Sequence, residues 1–274
     1  DHTASERFSC KKCTGRNCKE VGIVSWRIES MKITVCGKGG CGKSTVSALL
    51  AKEFERMGKT VLVVDSDESN YGLHRQLGVK LPRDFTEYFG GKEKALKTMM
   101  AGEILDTVKL PAFAKKFYSE PFTLNEIPEE YISRNNGVML ISSGKIHQAN
   151  EGCACTMNSI LKQFIKHLGR GTTEGMDPFI VVIKPGARSV QTYRNIKRLA
   201  EGLGVKKVKV VANKIKDESD EAFVKDRIPE SDLLGFVHYN PKIVNADREG
   251  ASPYDFSQTA VDEIKNKRKI RLRK

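Results

Sequence analysis

The stretch MKITVCGKGGCGKSTVSALLAKEFERMGKTVLVVDSDES, Met31 to Ser69, decides the fold. It opens on a short apolar run, passes through a glycine-rich loop and continues with apolar residues at helical spacing. It closes on a second apolar run, TVLVVD. Strand, loop, helix and strand within about 35 residues make one βαβ unit of a parallel sheet. The theme recurs downstream in GVMLIS (137–142), PFIVVIKP (178–185), a helix over Val190–Leu203, KVKVVANK (207–214) and LLGFVHYN (233–240). These runs show little polar alternation, as expected of strands buried on both faces. The expected fold is α/β, a doubly wound, mainly parallel sheet of the P-loop NTPase type, effectively one domain. Residues 80–135, rich in Lys, Phe, Glu and Pro, read as an insertion of short helices.

Within the opening stretch, GKGGCGKST fits G-x-x-x-x-G-K-[ST] through Gly37, Gly42, Lys43 and Ser44. Such a loop must turn its backbone N–H groups toward phosphate oxygens. Glycines permit the dihedrals, and the following helix offers its positive end. Gly37 through Thr45, including Lys38, Gly39, Gly40 and Cys41, are therefore the expected nucleotide cradle. Lys43 is expected to reach the β- and γ-phosphates, and the Ser44 hydroxyl to hold Mg²⁺.

Lys38 gives the loop the K-G-G-x-G-K-[ST] form, which resembles the deviant Walker A of the MinD, ParA and nitrogenase iron protein family. The resemblance implies that Lys38 reaches across a homodimer to the partner's ATP. It further implies that Asp67 of VDSDES orients the attacking water and Asp65 stands near the Mg²⁺ shell. Asn213 of VVANK would read adenine. ATP or ADP and Mg²⁺ are the implied cofactors.

Within that family the stretch 31–262 is similar to the nickel-insertion ATPases of carbon monoxide dehydrogenase, the CooC branch. The similarity rests on GKGGCGKST, VDSDES, SGKIHQANEGCACTMNSIL, HLGRGTTEGMDPFIVVIKPGARSV and NIKRLAEGLGVKKVKVVANKI. The C-x-C pair, Cys153 and Cys155, is the discriminating element. The resemblance implies that two such pairs meet across the dimer and give four thiolates to one Zn²⁺ or Ni²⁺. The expected client is a nickel-containing carbon monoxide dehydrogenase. The alternatives are a MinD- or ParA-like positioning ATPase and an electron-transfer ATPase carrying a shared iron–sulfur cluster.

Two features depart from the pattern. No apolar run ending in Asp-x-x-Gly occurs between Cys155 and His167, where the family's Walker B strand should stand, and about 15 to 20 residues are missing for a strand and its connections. Either the sequence is incomplete there or a central strand has been lost, which would put hydrolysis in doubt. The other departure is CKKCTGRNC, with Cys10, Cys13 and Cys18. These thiols could join a zinc or iron–sulfur site, or belong to an appended leader before Met31. Cys36 and Cys41 read as small space-fillers.

The composition sets outer bounds. The chain has 274 residues, 39% hydrophobic and 30% charged, and a formal net charge of +13. It contains no run of about 18 apolar residues that would form a transmembrane helix. An odd cysteine count of seven argues against a disulfide framework. The expected location is the cytoplasm, with neither a nucleic-acid nor a membrane partner. Much of the excess charge lies in KNKRKIRLRK, Lys265–Lys274, which reads as a solvated tail or as a docking patch for an acidic partner. The expected organisation is an extension over 1–30, the ATPase domain over 31–262 and a basic tail over 263–274.

Overall fold

Each apolar run of the sequence becomes a strand. The computed structural model describes residues 31–67, 72–91, 94, 117, 120–143, 164, 167–168, 179–202, 205 and 207–266. Its strands are β1 (Thr34–Cys36), β2 (Val61–Asp65), β3 (Ser133–Asn135), β4 (Val138–Ser142), β5 (Phe179–Ile183), β6 (Val208–Ile215) and β7 (Leu233–His238). One sheet has the order β1-β5-β6-β7 and a second β2-β4-β3. Every pairing is parallel except that of β3 with β4. The helices are α1 (Lys43–Arg56), α2 (Leu73–Leu77), α3 (Phe85–Tyr88), α4 (Ala187–Gly202), α5 (Glu218–Arg227), α6 (Pro241–Glu249), α7 (Pro253–Phe256) and α8 (Gln258–Asn266).

The period-2 alternation of strand side chains sorts the core into two layers. On β5 and β6, Ile180, Val182 and Val211 pack with Val46, Leu49 and Leu50 of α1 and with Val261 and Ile264 of α8. Their neighbours Val181, Ile183, Val210 and Ala212 point the other way, onto Val190 and Tyr193 of α4 and Val224 of α5. The second sheet divides alike. Val61, Val63, Val138 and Leu140 meet Ala48 and Ala51 of α1 and Leu73 and Leu77 of α2. Leu62, Val64, Met139 and Ile141 meet a cluster of Phe85, Phe89, Phe117, Phe122 and Phe164. One flank of α1 thus covers each sheet. The layered parallel architecture expected from the sequence is present.

Among the described residues of 80–135 stand α3, two short 3₁₀ turns, Leu124–Glu126 and Glu129–Tyr131, and the strand β3. β3 is only Ser-Arg-Asn, too short and polar to show as a period-2 run. It forms because Asn136 takes φ 51°, a left-handed conformation asparagine tolerates, and folds the chain back onto β4. Asn136-Gly137 is the local signal that could have revealed this hairpin.

Candidate functional site

The glycine loop leaves β1 and enters α1 through three backbone conformations that side chains resist: Gly37 at φ 147°, Gly40 at 72° and Gly42 at 95°. A Cβ on Gly37 would fall on the Val182 carbonyl oxygen, and one on Gly42 would fall on the Asn213 amide. The Cys41 amide donates to the Lys38 carbonyl at 3.2 Å, closing a tight turn. Lys38, Gly39 and Gly40 lie exposed at the crest, while Cys41 is buried beneath it. Gly42 caps α1, and Val46 donates to its carbonyl at 3.0 Å. Lys43, Ser44 and Thr45 occupy the first turn, whose N–H groups lack helical acceptors and carry the positive end of the dipole. No acidic side chain stands in that turn to compete for an anion.

β6 supports the loop from below. Its register slips between Asn213 and Ile215, and Lys214 sits at φ 61°. The slip lets two successive residues serve the loop. Asn213 donates from Nδ2 to the Cys41 carbonyl at 2.9 Å and accepts from the Lys214 amide at 2.9 Å. Lys214 Nζ donates to the Gly40 carbonyl at 3.1 Å. Asn213, expected from the sequence to read adenine, supports the phosphate loop in this structure, with both ends of its amide engaged. Lys214 went unnoticed in the sequence because strand alternation would turn it away from its neighbour's face.

Asp65 ends β2 and is buried; its Oδ1 accepts from the Asp67 amide at 3.0 Å. The Ser143 amide and hydroxyl both donate to the Asp65 carbonyl, at 3.0 and 2.9 Å, stitching β2 to the end of β4. A second buried carboxylate, Asp84, accepts from the Ser142 hydroxyl at 2.9 Å at this rim. No periodicity marks Asp84 in the sequence; only the bridge to Ser142 reveals it. Carboxylates at the C-terminal ends of parallel strands, beside a phosphate-type loop, occupy the usual ligand edge of such sheets.

Cys36 donates its thiol to the Ile180 carbonyl at 3.8 Å. Burial, then the neighbouring Cys41, push its pKa up to about 11 against the pull of Lys43. Burial raises Cys41 as well. Both thiols stay protonated near neutral pH, as space-fillers and not as ligands or nucleophiles. Cys153 and Cys155 lie outside the described residues, as do Cys10, Cys13 and Cys18. Among the described residues no group of three or more His, Cys, Asp or Glu is placed to hold a metal ion. For Mg²⁺ beside a nucleotide, the hard oxygens of Ser44 and Asp65 at the end of the loop and of β2 suit the ion. Among the described residues no helix is long and apolar enough to cross a membrane.

Residues 32–254 match the CobQ/CobB/MinD/ParA nucleotide binding domain. An uncharacterised ATP-binding protein of Methanocaldococcus jannaschii is 35% identical over 233 aligned positions, covering 78% of this chain and 90% of its own. The carbon monoxide dehydrogenase accessory protein CooC of Rhodospirillum rubrum is 31% identical over 252 positions, covering 85% and 93%. In residues, 78% and 85% of this chain are about 214 and 233, so each relative carries about 19 positions without a counterpart here. Among solved structures, the septum site-determining protein MinD of Pyrococcus horikoshii, complexed with Mg-ADP, superposes with a TM-score of 0.55 at 17% identity, over 88% of this chain and 96% of that one.

Proposed function

Because the chain belongs to the CobQ/CobB/MinD/ParA family of P-loop ATPases, we propose that it is a nucleotide-driven maturation factor that delivers nickel to a carbon monoxide dehydrogenase-type enzyme. The observation that carries this reading is the coincidence, in one chain, of the Cys153–Cys155 pair with 31% identity to a carbon monoxide dehydrogenase accessory protein. A C-x-C pair offers two soft thiolates; a second copy of the chain would bring the other two for a tetrahedral site.

In this mechanism the loop backbone from Gly37 to Thr45 holds the phosphates of ATP, and Lys43 neutralises charge on the β- and γ-oxygens. Ser44 and Asp65 would hold Mg²⁺, which would draw charge from the phosphates. Lys38, exposed at the crest of the loop, reaches the partner's nucleotide and makes closure of the homodimer depend on ATP. Asp67 orients the attacking water, and Asn213, anchored on Cys41, links the loop to β6. Closure assembles the four-thiolate site; loss of the γ-phosphate opens it and frees the cargo. Metal affinity and dimer closure therefore strengthen each other.

The test is metal stoichiometry and oligomeric state, with and without ATP, for the native chain and the Cys153→Ser/Cys155→Ser double variant. One nickel or zinc per ATP-bound dimer, lost in the double variant, supports delivery. Equal metal binding by the variant rejects it. ATP-dependent binding to anionic vesicles or DNA without metal uptake would instead indicate a positioning ATPase.

A further inference from the structure

A groove of about 370 Å³ runs between the C-terminal half of α4 and the segment joining α5 to β7. Arg194, Lys197 and Arg198 line it from α4 and Arg227 from the end of α5, against a single lining carboxylate, Glu201. A surface cation is ordinarily loose and solvated; here the floor and one wall are fixed. Asp232, buried beneath, accepts from Tyr193 Oη and Lys197 Nζ, which holds the floor and matches its charge. The Arg227 guanidinium lies 4.1 Å from the Phe223 ring centroid, and its Nη1 donates to the Asp226 carboxylate at 2.9 Å and the Phe223 carbonyl at 3.3 Å. Both bonds leave from Nη1, which orients the planar fork without using Nε or Nη2. Arg194 and Arg198, exposed and one helical turn apart, make no hydrogen bond or ion pair among the described residues. A pre-oriented fork beside two such guanidiniums suits bidentate capture of carboxylates.

The surroundings narrow the occupant. Asp226 and Glu230 stand exposed at the α5 side and Glu201 at the α4 side. A nucleic acid, with a phosphate charge per about 1.7 Å of duplex, would meet these carboxylates on leaving the groove, whereas a short acidic segment would not. Leu199, 63% exposed and next to Arg198 on the same helix, adds an apolar contact of the kind protein interfaces use.

Its place in the fold sets the groove apart from the nucleotide. α4 leaves the carboxyl ends of the strands, where the glycine loop lies, and runs back toward their amino ends; Pro229 of the groove precedes the first residue of β7. The groove therefore opens at the opposite edge of the sheet from the loop and its Lys38 crest.

We infer that this groove is a docking site for an acidic, amphipathic segment of a partner protein, open to that partner whatever nucleotide the loop holds.

The test is fluorescence anisotropy of a labelled peptide of about twelve residues, rich in Glu and carrying Leu, with the full chain in the presence of an ATP analogue, of ADP and of neither. Affinity should agree within about twofold across the three states. Arg194→Glu and Arg198→Glu should each weaken binding at least about tenfold, and Arg227→Lys at least about threefold through loss of the fork. Arg248→Glu, the same charge change on α6, whose Ile243 packs on the other face of the sheet, should stay within about twofold of the native chain. ADP affinity should be unchanged in every variant, which also reports folding. Residues 265–274 are present throughout, so the differences read the groove and not the basic tail. Native affinity in Arg194→Glu and Arg198→Glu would overturn the inference, as would an equal loss in Arg248→Glu. So would tighter binding of a single-stranded oligonucleotide or of phosphatidylserine vesicles than of the peptide. Neither cysteine nor metal enters this readout, so it stands or falls apart from nickel delivery.

Discussion

The Asn213 side chain donates to the Cys41 carbonyl at 2.9 Å, fastening the phosphate loop to a strand 172 residues away in sequence. Asn213→Ala would strand that carbonyl in a buried setting and leave the part-buried Lys214 amide without its side-chain acceptor. The expected cost is about 1–3 kcal/mol of stability, together with roughly tenfold weaker ADP binding. Calorimetric titration beside thermal melting checks it; unchanged ADP affinity would show that the loop holds its shape without this bond.

The two loop lysines should separate in their effects. Lys43, half-buried in the first turn of α1, should lose nucleotide affinity by at least about tenfold as Lys43→Ala. Lys38, on the exposed crest, should as Lys38→Ala keep ADP affinity within about twofold and lose ATP-dependent dimerisation. Sedimentation with ATP analogues reads the split. Equal loss of ADP binding in both variants would assign both lysines to the same subunit's nucleotide.

Away from the site, Asp232 accepts from Tyr193 Oη and Lys197 Nζ, both at 2.6 Å. Burial alone would raise its pKa, but the Lys197 and Tyr193 bonds outweigh it and hold the carboxyl below its ordinary value. The stability this group contributes is therefore present above about pH 4 and lost as pH falls through its folded value. Burial, then Asp232, push Tyr193 up to about 12. That contribution persists below about pH 10 and fades toward pH 12. Asp232→Asn should cost about 1–3 kcal/mol at pH 7 and flatten the acid limb of a stability-versus-pH curve. An unchanged acid limb would count against the assignment.

A phenylalanine cluster packs on one face of the second sheet. Phe85 stacks edge-on against Phe89 at 5.3 Å and Phe164 at 5.7 Å, and it is 1% exposed. Phe85→Ala should cost about 3–5 kcal/mol, read by denaturant midpoint. Phe164 follows Cys155 by nine residues in the sequence, so the same variant should also weaken metal binding if the cluster positions the cysteine segment. Full metal affinity in a folded variant would separate the two.

How much was legible in the sequence follows from what each signal encodes. β2, β4, β5, β6 and β7 were readable because two-sided burial demands unbroken apolar runs such as VLVV and FIVVI. The loop was readable because its glycines answer a backbone requirement that no other residue meets. β3 was not, since a three-residue polar strand lives by its pairing with β4 and not by its own composition. The support of the loop by Lys214 was hidden too, because it depends on a register slip that arises only between paired strands. Asp84 became a site candidate only when the fold set it beside Ser142. Cys153 and Cys155, the residues on which the metal reading turns, fall outside the described residues.

Helix α1 has a consequence for how this protein melts. Its residues Val46, Leu49 and Leu50 serve one apolar core and Ala48 and Ala51 another, while its first turn is where nucleotide is gripped. A ligand at hundredfold excess over its Kd adds about 2.7 kcal/mol to whatever it binds. Delivered at the N-terminus of α1, that increment is shared by both halves of the molecule. Nucleotide thus acts as mortar: loaded protein should unfold in one cooperative step, and empty protein as two blocks that part company along this helix.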